Sequence, residues 1–350
     1  MRKGKVETWN SETEQTDSYY FKKEELQEKL ERRKKLEKED IKQKDTSLFQ
    51  LANKKVEEMT NEGFKRSFNT AKIIKSELFD KLKKDVKEGI VFPTVRKNEI
   101  HFYYAGGCLY KWNGKSFKRD SNYEKYSPKN AKELDHYTLA KEQNRIKNET
   151  AEGTPKERQL LDHLNTHTFK SDRKSKVVVL DIEVRLNGKM GGSKKCDLVL
   201  MNIENPEMPK IMFVEGKVFS DSRVNVQVGR IPEVIEQVKT YTEAVKEQSV
   251  EIVFEYINHI NCINELFDTN FYPPFPGSLY NFNFLGYYLF VENHLVPNAK
   301  LLVYETPQKL NANGKYSKEI INKELGANNV MWVQTGTEPT LDEIWEALCK

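Results

Sequence analysis

An apolar run that ends in two opposite charges is the feature that most constrains the fold of this chain. Residues 211–214, Ile-Met-Phe-Val, read as a buried strand, and Glu215-Gly216-Lys217 follows without a break. Because side chains alternate along a strand, Glu215 and Lys217 share one face. Burying a carboxylate beside an ammonium is costly unless a ligand or another charge compensates. The run therefore predicts a buried strand that carries a functional charge pair.

A second strand pattern, residues 195–204, precedes this one and supplies another carboxylate. Asp197 stands directly before the apolar residues 198–201, and a short turn at 205–209 leads into the next strand. A short connection favours antiparallel pairing of the two strands. The carboxylates of Asp197 and Glu215 and the carbonyl of Gly216 are hard oxygen ligands, which predicts a site for Mg²⁺ or Mn²⁺. A lysine beside such a site can stabilise charge that develops on a phosphate.

Strand and helix patterns alternate through residues 151–350, which we treat as one domain. This order predicts an α/β fold with a mixed sheet flanked by helices. The predicted elements are, in chain order, helix 155–165, strands 176–186, 195–204 and 210–219, helices 231–245 and 251–267, an ordered insertion at 270–290, strands 301–305 and 330–334, and a closing helix at 341–348 with Thr340 as its N-cap.

Asp197 followed by Glu215-Gly216-Lys217 resembles the signature of the PD-(D/E)xK nuclease superfamily. The strict Pro-Asp pair of that signature is absent, because Cys196 precedes Asp197. The resemblance covers about half of the chain, and the order of its motifs agrees with the order of the predicted elements. It implies a restriction-endonuclease-like core.

Two further features extend the resemblance. Gln237 and Tyr241 are four residues apart, so one helix face carries both, and they look like the QxxxY motif of the RecB-type subgroup. The helix before the first strand commonly supplies another acidic ligand in this family, and Glu157 opens that helix. Asp181 and Glu183, which share a face of the first strand, compete with Glu157 for that role.

The function implied by the resemblance is metal-dependent hydrolysis of phosphodiester bonds, in DNA rather than RNA, in restriction or anti-phage defence. A catalytically inactive nucleic-acid-binding protein of the same fold and an RNA endonuclease stay open as alternatives. The implied catalytic residues are Glu157, Asp197, Glu215, Lys217, Gln237 and Tyr241, and the implied metal ligands are Asp197, Glu215 and Gly216.

The same residues also have purely structural interpretations. Glu215 and Lys217 fit an exposed ion pair on the surface of a sheet. Gln237 and Tyr241 fit an ordinary helix face beside apolar neighbours. Glu157 fits a carboxylate at a helix start, where the helix dipole favours negative charge.

Residues 1–88 differ from the rest of the chain in composition. They are dense in Lys and Glu, with apolar residues at helical intervals, which predicts charged amphipathic helices. As an accessory region they would serve substrate recognition, self-association or contact with a partner protein.

Residues 89–150 predict a small antiparallel meander followed by a helical linker. Its three predicted strands are 100–104, 108–112 and 115–119, and Asn113-Gly114 predicts a type I′ turn. Aromatic residues alternate with lysines in this meander. Such a mixture either binds nucleic acid by stacking and phosphate contact or packs a small sheet.

Composition narrows the class of protein. The net charge of +4 over 350 residues leaves nucleic-acid binding open, because a binder needs cations gathered in one place. We find no run of about 18 apolar residues and no apolar stretch behind the N-terminus, so we expect neither a membrane span nor a secretory signal. The four cysteines are scattered, which suits a reducing cytoplasm.

Overall fold

The computed structural model describes residues 70–96, 99–105, 107–119, 138, 141, 164, 168–169, 173–186, 194–267, 271–272 and 293–349. All of them belong to one compact unit, Phe64–Lys350, and none belongs to a second unit, Met1–Gly63.

The strands are β1 (Phe92–Val95), β2 (Ile100–Tyr104), β3 (Gly107–Trp112), β4 (Phe117–Arg119), β5 (Val177–Leu186), β6 (Lys194–Asn202), β7 (Lys210–Val218), β8 (Lys300–Thr306) and β9 (Val330–Gln334). The helices are α1 (Thr70–Ile73), α2 (Glu77–Lys87), α3 (Glu233–Glu247), α4 (Ser249–Phe267), α5 (Ala312–Leu325) and α6 (Leu341–Leu348), with a 3-10 turn at Ala327–Asn329.

Several predicted elements lie outside these ranges. They are the helices before residue 70, and nearly all of the helix at 155–165, of the linker after residue 119 and of the insertion at 270–290. The role assigned to residues 1–88 in self-association or partner binding therefore stays a prediction.

The larger sheet is mixed, in the strand order β5-β6-β7-β8-β9. Strands β5, β6 and β7 pair antiparallel, whereas β7–β8 and β8–β9 pair parallel. Parallel neighbours need a long crossover, and helices α3 and α4 lie between β7 and β8 in the chain while α5 lies between β8 and β9. The predicted α/β architecture with a mixed sheet and helices is confirmed.

Strand β7 is the middle strand of this sheet, and its position explains the apolar run. All four side chains from Ile211 to Val214 are fully buried. On one face of the strand, the ring of Phe213 lies 6.2 Å from that of Tyr256 on α4. A strand covered on both faces needs apolar residues at consecutive positions, as this run provides. In the described ranges no helix, α4 included, is long and apolar enough to cross a membrane.

Helix α5 was not predicted from the sequence. Its N-cap is Asn311, whose side chain accepts a hydrogen bond from the backbone N–H of Gly314 at 2.8 Å. An Asn-Gly pair in the first turn reads as a loop signal, which hides the helix start. A Cβ at Gly314 would lie 2.9 Å from the ring of Phe219, so glycine there permits close packing of α5 on the end of β7.

The smaller sheet has one strand more than predicted. Its order is β1-β2-β3-β4, all antiparallel, and β1 pairs with β2 from Phe92 opposite Tyr103 to Val95 opposite Ile100. The additional strand contains Pro93, which argues against a strand in sequence reasoning but is tolerated at a sheet edge.

The predicted type I′ turn at Asn113-Gly114 is wrong. Trp112 pairs with Phe117, so the connection has four residues, and only Gly114 of the pair has a positive φ, of 84°. A type I′ turn needs positive φ at both central residues. Instead, the side chain of Asn113 accepts hydrogen bonds from the backbone N–H groups of Lys115 and Ser116 at 3.1 and 3.0 Å.

The aromatic residues of the smaller sheet pack inside it. Phe102, Tyr110 and Trp112 are buried, and the ring of Phe117 lies within 6.0 Å of all three. Buried rings cannot stack on bases, so the packing interpretation of these aromatics holds. The lysines between them remain on the outside of the sheet or partly covered.

A buried ion pair joins the two sheets. Asp181 on β5 is 2% exposed and pairs with Arg96, which follows β1. The same carboxylate accepts hydrogen bonds from the hydroxyl of Thr94 at 2.5 Å and from that of Tyr256 at 3.3 Å. Three side chains thus compensate the burial of one charge, which identifies Asp181 as a structural residue of this junction.

Arg96→Ala is expected to destabilise the protein by about 3–5 kcal/mol, because it leaves the carboxylate of Asp181 buried without a cation. Urea unfolding would measure this difference in free energy. The exposed pair of Lys176 and Glu204 is the control, and Lys176→Ala should destabilise the protein far less than Arg96→Ala. Equal effects of the two substitutions would contradict a role for the Arg96–Asp181 pair in holding the sheets together.

Candidate active site

Glu215 and Lys217 lie on one face of β7 and are both buried. Their exposed fractions are 1% and 2%, so the interpretation as an exposed surface ion pair is wrong. Strand β6 runs antiparallel beside them, with Leu198 opposite Val214, which brings Asp197 next to Glu215. The side chain of Asp197 is 20% exposed, and this carboxylate is therefore the solvent-facing part of the group.

Three oxygen atoms converge on the ammonium of Lys217. Its Nζ lies 2.5 Å from Oε1 of Glu215, 2.7 Å from the carbonyl oxygen of Gly216 and 3.5 Å from Oδ2 of Asp197. These are the three groups that the sequence predicts as metal ligands. In this structure they surround a cationic group of the protein itself.

A backbone hydrogen bond holds Asp197 in this position. The N–H of Gly216 donates to Oδ2 of Asp197 at 2.9 Å, from one strand to the next. One carboxylate oxygen of Asp197 is therefore tied to β7, beside Lys217. Because the donor belongs to the main chain of a central strand, it needs no side-chain ordering to hold the carboxylate.

Helix α3 contributes two more of the predicted residues. The amide nitrogen of Gln237 donates to Oε1 of Glu215 at 2.5 Å and to the hydroxyl oxygen of Tyr241 at 3.0 Å. The hydroxyl of Tyr241 donates in turn to the carbonyl oxygen of Lys195 on β6 at 2.6 Å. Burial, with the charge of Glu215 next, raises the pKa of Tyr241, which keeps the hydroxyl protonated. Gln237 and Tyr241 thus connect helix α3 to strands β6 and β7, and Gln237 hydrogen-bonds directly to Glu215. Residues of an ordinary helix face would make no such contacts.

Burial dominates the electrostatics of Glu215. Together with the neighbouring charge of Asp197, burial raises the pKa of this carboxyl to about 8, although the ammonium of Lys217 acts in the opposite direction. The short contact with Lys217 favours the ionised carboxylate, so the two influences disagree. Burial decides the direction of the pKa shift, because one ammonium shared among three oxygens compensates Glu215 only in part.

The second oxygen of Glu215 is the atom that a metal ion would satisfy. Oε2 is buried and has no hydrogen-bond partner in the described part of the chain. A buried carboxylate oxygen without a partner is costly, and a divalent cation would compensate it. Two carboxylates and a main-chain carbonyl also match the oxygen ligands that Mg²⁺ and Mn²⁺ accept. The residues present therefore fit such an ion.

No third acidic ligand joins this group among the described residues. No cluster of three or more Asp, Glu, His or Cys side chains that could hold a metal occurs there. Asp181 is engaged at the junction of the sheets, and Glu183, with φ of 50°, pairs with Lys195 at 3.1 Å. Glu157 lies outside the described residues. Two carboxylates can suffice, because Mg²⁺ often keeps water and substrate phosphates as its other ligands.

The sequence did not indicate a role for the segment that links strand β7 to helix α3, the two elements that carry Glu215, Lys217, Gln237 and Tyr241. Residues 219–232 connect β7 to α3, and the side chain of Asp221 is close enough to Lys217 for their charges to interact. Asp221 itself is held by Arg223, whose guanidinium donates to it at 2.5 Å. The irregular conformation of the segment gave no helix or strand period by which to find it.

The free energy of unfolding should decrease with rising pH between about 4.5 and about 8 when EDTA removes divalent ions. In that range the folded state keeps the proton on Glu215 while the unfolded state releases it, so a rise in pH favours unfolding. Urea unfolding at several pH values measures the slope. Glu215→Gln cannot titrate and should lose this part of the slope. An identical slope in the two proteins would contradict the raised pKa.

No known protein-family model, curated protein or solved structure matches this chain. The interpretation of the site therefore depends on its own geometry. That geometry consists of two carboxylates, one carbonyl and one ammonium brought together at the β6–β7 pair and linked to helix α3.

Proposed function

We propose that this protein is a metal-dependent nuclease that hydrolyses phosphodiester bonds, with Asp197, Glu215 and Lys217 at its active site. One observation carries the proposal: three oxygens on adjacent strands converge on a single cationic position inside a mostly buried site. A fold does not arrange two carboxylates and an ammonium in this way without compensation. The compensation proposed here is a divalent ion together with the phosphate of a substrate.

The fold that we propose for the domain is a restriction-endonuclease-like core. Support comes from the order of its sheet, in which three antiparallel strands are followed by two strands that pair parallel. The candidate residues lie on the second and third strands and on the helix that follows them. Their order along the chain is the same as in the family that they resemble.

The main task of the carboxylates in this mechanism is to hold the ion. Asp197, Glu215 and the carbonyl of Gly216 would be its protein ligands. A bound Mg²⁺ or Mn²⁺ ion would polarise the scissile phosphate and lower the pKa of a water molecule. The hydrogen bond from the N–H of Gly216 orients Asp197 for binding.

In the proposed mechanism Lys217 acts on the phosphate of the substrate, and two residues of α3 position Glu215. The ammonium of Lys217, close to the ligand oxygens, can donate to a phosphate oxygen and stabilise its developing negative charge. Gln237 holds Oε1 of Glu215 and thereby leaves Oε2 available to a cation. Tyr241 fixes Gln237 against β6. These two are positioning residues in the proposed mechanism.

DNA is the substrate that we propose, and restriction or anti-phage defence is the setting, both from the family resemblance. An RNA endonuclease and an inactive binding protein would use the same fold. Cleavage of single- and double-stranded DNA and RNA by the full chain, with Mg²⁺, Mn²⁺ or EDTA, tests the proposal. Metal-dependent cleavage of either DNA supports it, and cleavage of RNA alone indicates the RNA endonuclease. Binding of any of these substrates without cleavage in either metal would overturn the nuclease assignment.

A further inference from the structure

The segment that connects β7 to α3, the strand and the helix that carry four of the candidate residues, exposes apolar side chains. The four-residue turn 228–231, which we call the loop tip, contains Val228, Gly229, Arg230 and Ile231. Val228 is 60% exposed and Ile231 is 74% exposed. Exposed large hydrophobic side chains number four in the described part of the chain, and the loop tip holds the two most exposed of them. Their concentration in one turn calls for a partner.

Hydrogen bonds to α5 fix the backbone on which the loop tip stands. The N–H of Val226 donates to the hydroxyl of Ser317 at 3.0 Å, and this hydroxyl donates back to the carbonyl of Val226 at 3.3 Å. The N–H of Val228 donates to the side chain of Asn313 at 3.3 Å. The loop tip is thus presented from an anchored base, which limits the entropy lost when it binds.

The base of the loop tip lies at the same end of the sheet as the active site. The segment starts two residues after Lys217, and Phe219 at its start packs against Gly314 in the first turn of α5. Its other end leads into α3, where the N–H of Val234 donates to the carbonyl of Arg223 at 3.1 Å. A polymer that reaches Lys217 would therefore approach the end of the sheet from which this segment leaves.

We propose that the loop tip contacts the bases of the nucleic acid that the active site cleaves, with Val228 and Ile231 against the bases and Arg230 against a phosphate. Apolar side chains that press between base steps are a known means of holding and distorting nucleic acid. Arg230 is exposed and forms no ion pair within the described residues, so its guanidinium is free for a phosphate.

Gly229 makes the loop tip suitable for this contact. Its φ is +91°, which strongly favours glycine, and no atom lies within 4 Å of where its Cβ would be. The backbone can therefore turn sharply between the two apolar side chains without a bulky residue at its apex. This inference depends on the proposed function, because it names the substrate of the same site.

Binding of the full chain to fluorescein-labelled single-stranded and duplex DNA, with Ca²⁺ in place of Mg²⁺, tests the inference. The double substitution Val228→Ser with Ile231→Ser should weaken binding by about tenfold and leave the salt dependence unchanged, because apolar contacts release no counterions. Arg230→Gln should reduce the slope of log K against log salt by about 1. The matched control is Ile74→Ser, at another exposed apolar side chain, which should bind as the parent does.

The outcomes separate this inference from the proposed function. If the parent cleaves DNA and the double variant binds as tightly as the parent, the loop-tip contact is wrong and the nuclease stands. If the parent binds DNA without cleaving it and the double variant binds tenfold less tightly, the nuclease is wrong and the contact stands. A parent that forms dimers which the double variant loses, with DNA affinity unchanged, would assign the loop tip to a second copy of the chain and overturn the inference.

Discussion

Lys217→Ala is expected to retain metal and substrate binding and to cleave at least about a hundredfold more slowly than the parent. In the proposed mechanism the ammonium acts on the charge that develops in the transition state, so its loss should affect the chemical step. Metal affinity should not fall, because the ammonium competes for the same three oxygens that would hold the ion. Single-turnover cleavage at saturating substrate and Mn²⁺ titration calorimetry would measure the two effects.

The matched control for this substitution is Lys239→Ala. Lys239 on α3 also pairs with a carboxylate, that of Glu324 at 2.7 Å, but both side chains are more than 40% exposed. An exposed pair contributes little to stability, and its loss should leave the cleavage rate unchanged. A Lys217→Ala protein that cleaves at the parent rate would remove Lys217 from the active site.

Asp197→Asn is expected to abolish cleavage and Mn²⁺ binding together, because an amide oxygen is a far poorer ligand than a carboxylate. The fold should survive, since the amide oxygen of asparagine can still accept the hydrogen bond from the N–H of Gly216. Titration calorimetry with Mn²⁺ and the cleavage assay test both parts. Unchanged Mn²⁺ binding by this variant would show that Asp197 is not a ligand.

Glu183→Gln is the control that addresses the competing ligand. Glu183 is partly exposed and pairs with Lys195, so its loss should leave Mn²⁺ affinity as in the parent. A loss of affinity equal to that of Asp197→Asn would instead make Glu183 a ligand and require β5 to move toward the site.

The sequence determined much of the larger sheet. The apolar run of β7, the short turn before it and the alternation of strand and helix patterns each correspond to an observed element. The closing helix begins at its predicted N-cap, Thr340, which forms a capping box with Glu343. These features depend on neighbours in the chain, and local sequence is therefore enough to predict them.

Other elements depended on contacts that local sequence does not contain. Strand β1 includes Pro93, and the sheet tolerates this proline because β1 lies at its edge. Helix α5 begins with an Asn-Gly pair that reads as a turn, yet Gly314 is needed there for contact with Phe219. In both cases a distant part of the chain overrides the local preference.

For the candidate site, local sequence patterns indicated which residues to consider, whereas long-range packing sets how these residues meet. The spacing of Glu215 and Lys217 puts them on one strand face, but their burial follows from the elements packed over β7. Asp181 competed with Glu157 for the role of additional ligand, but its carboxylate is paired with Arg96, which lies 85 residues away in the chain. Charge pairing and burial are set by groups distant in sequence, whereas alternation and helical period are properties of the local backbone.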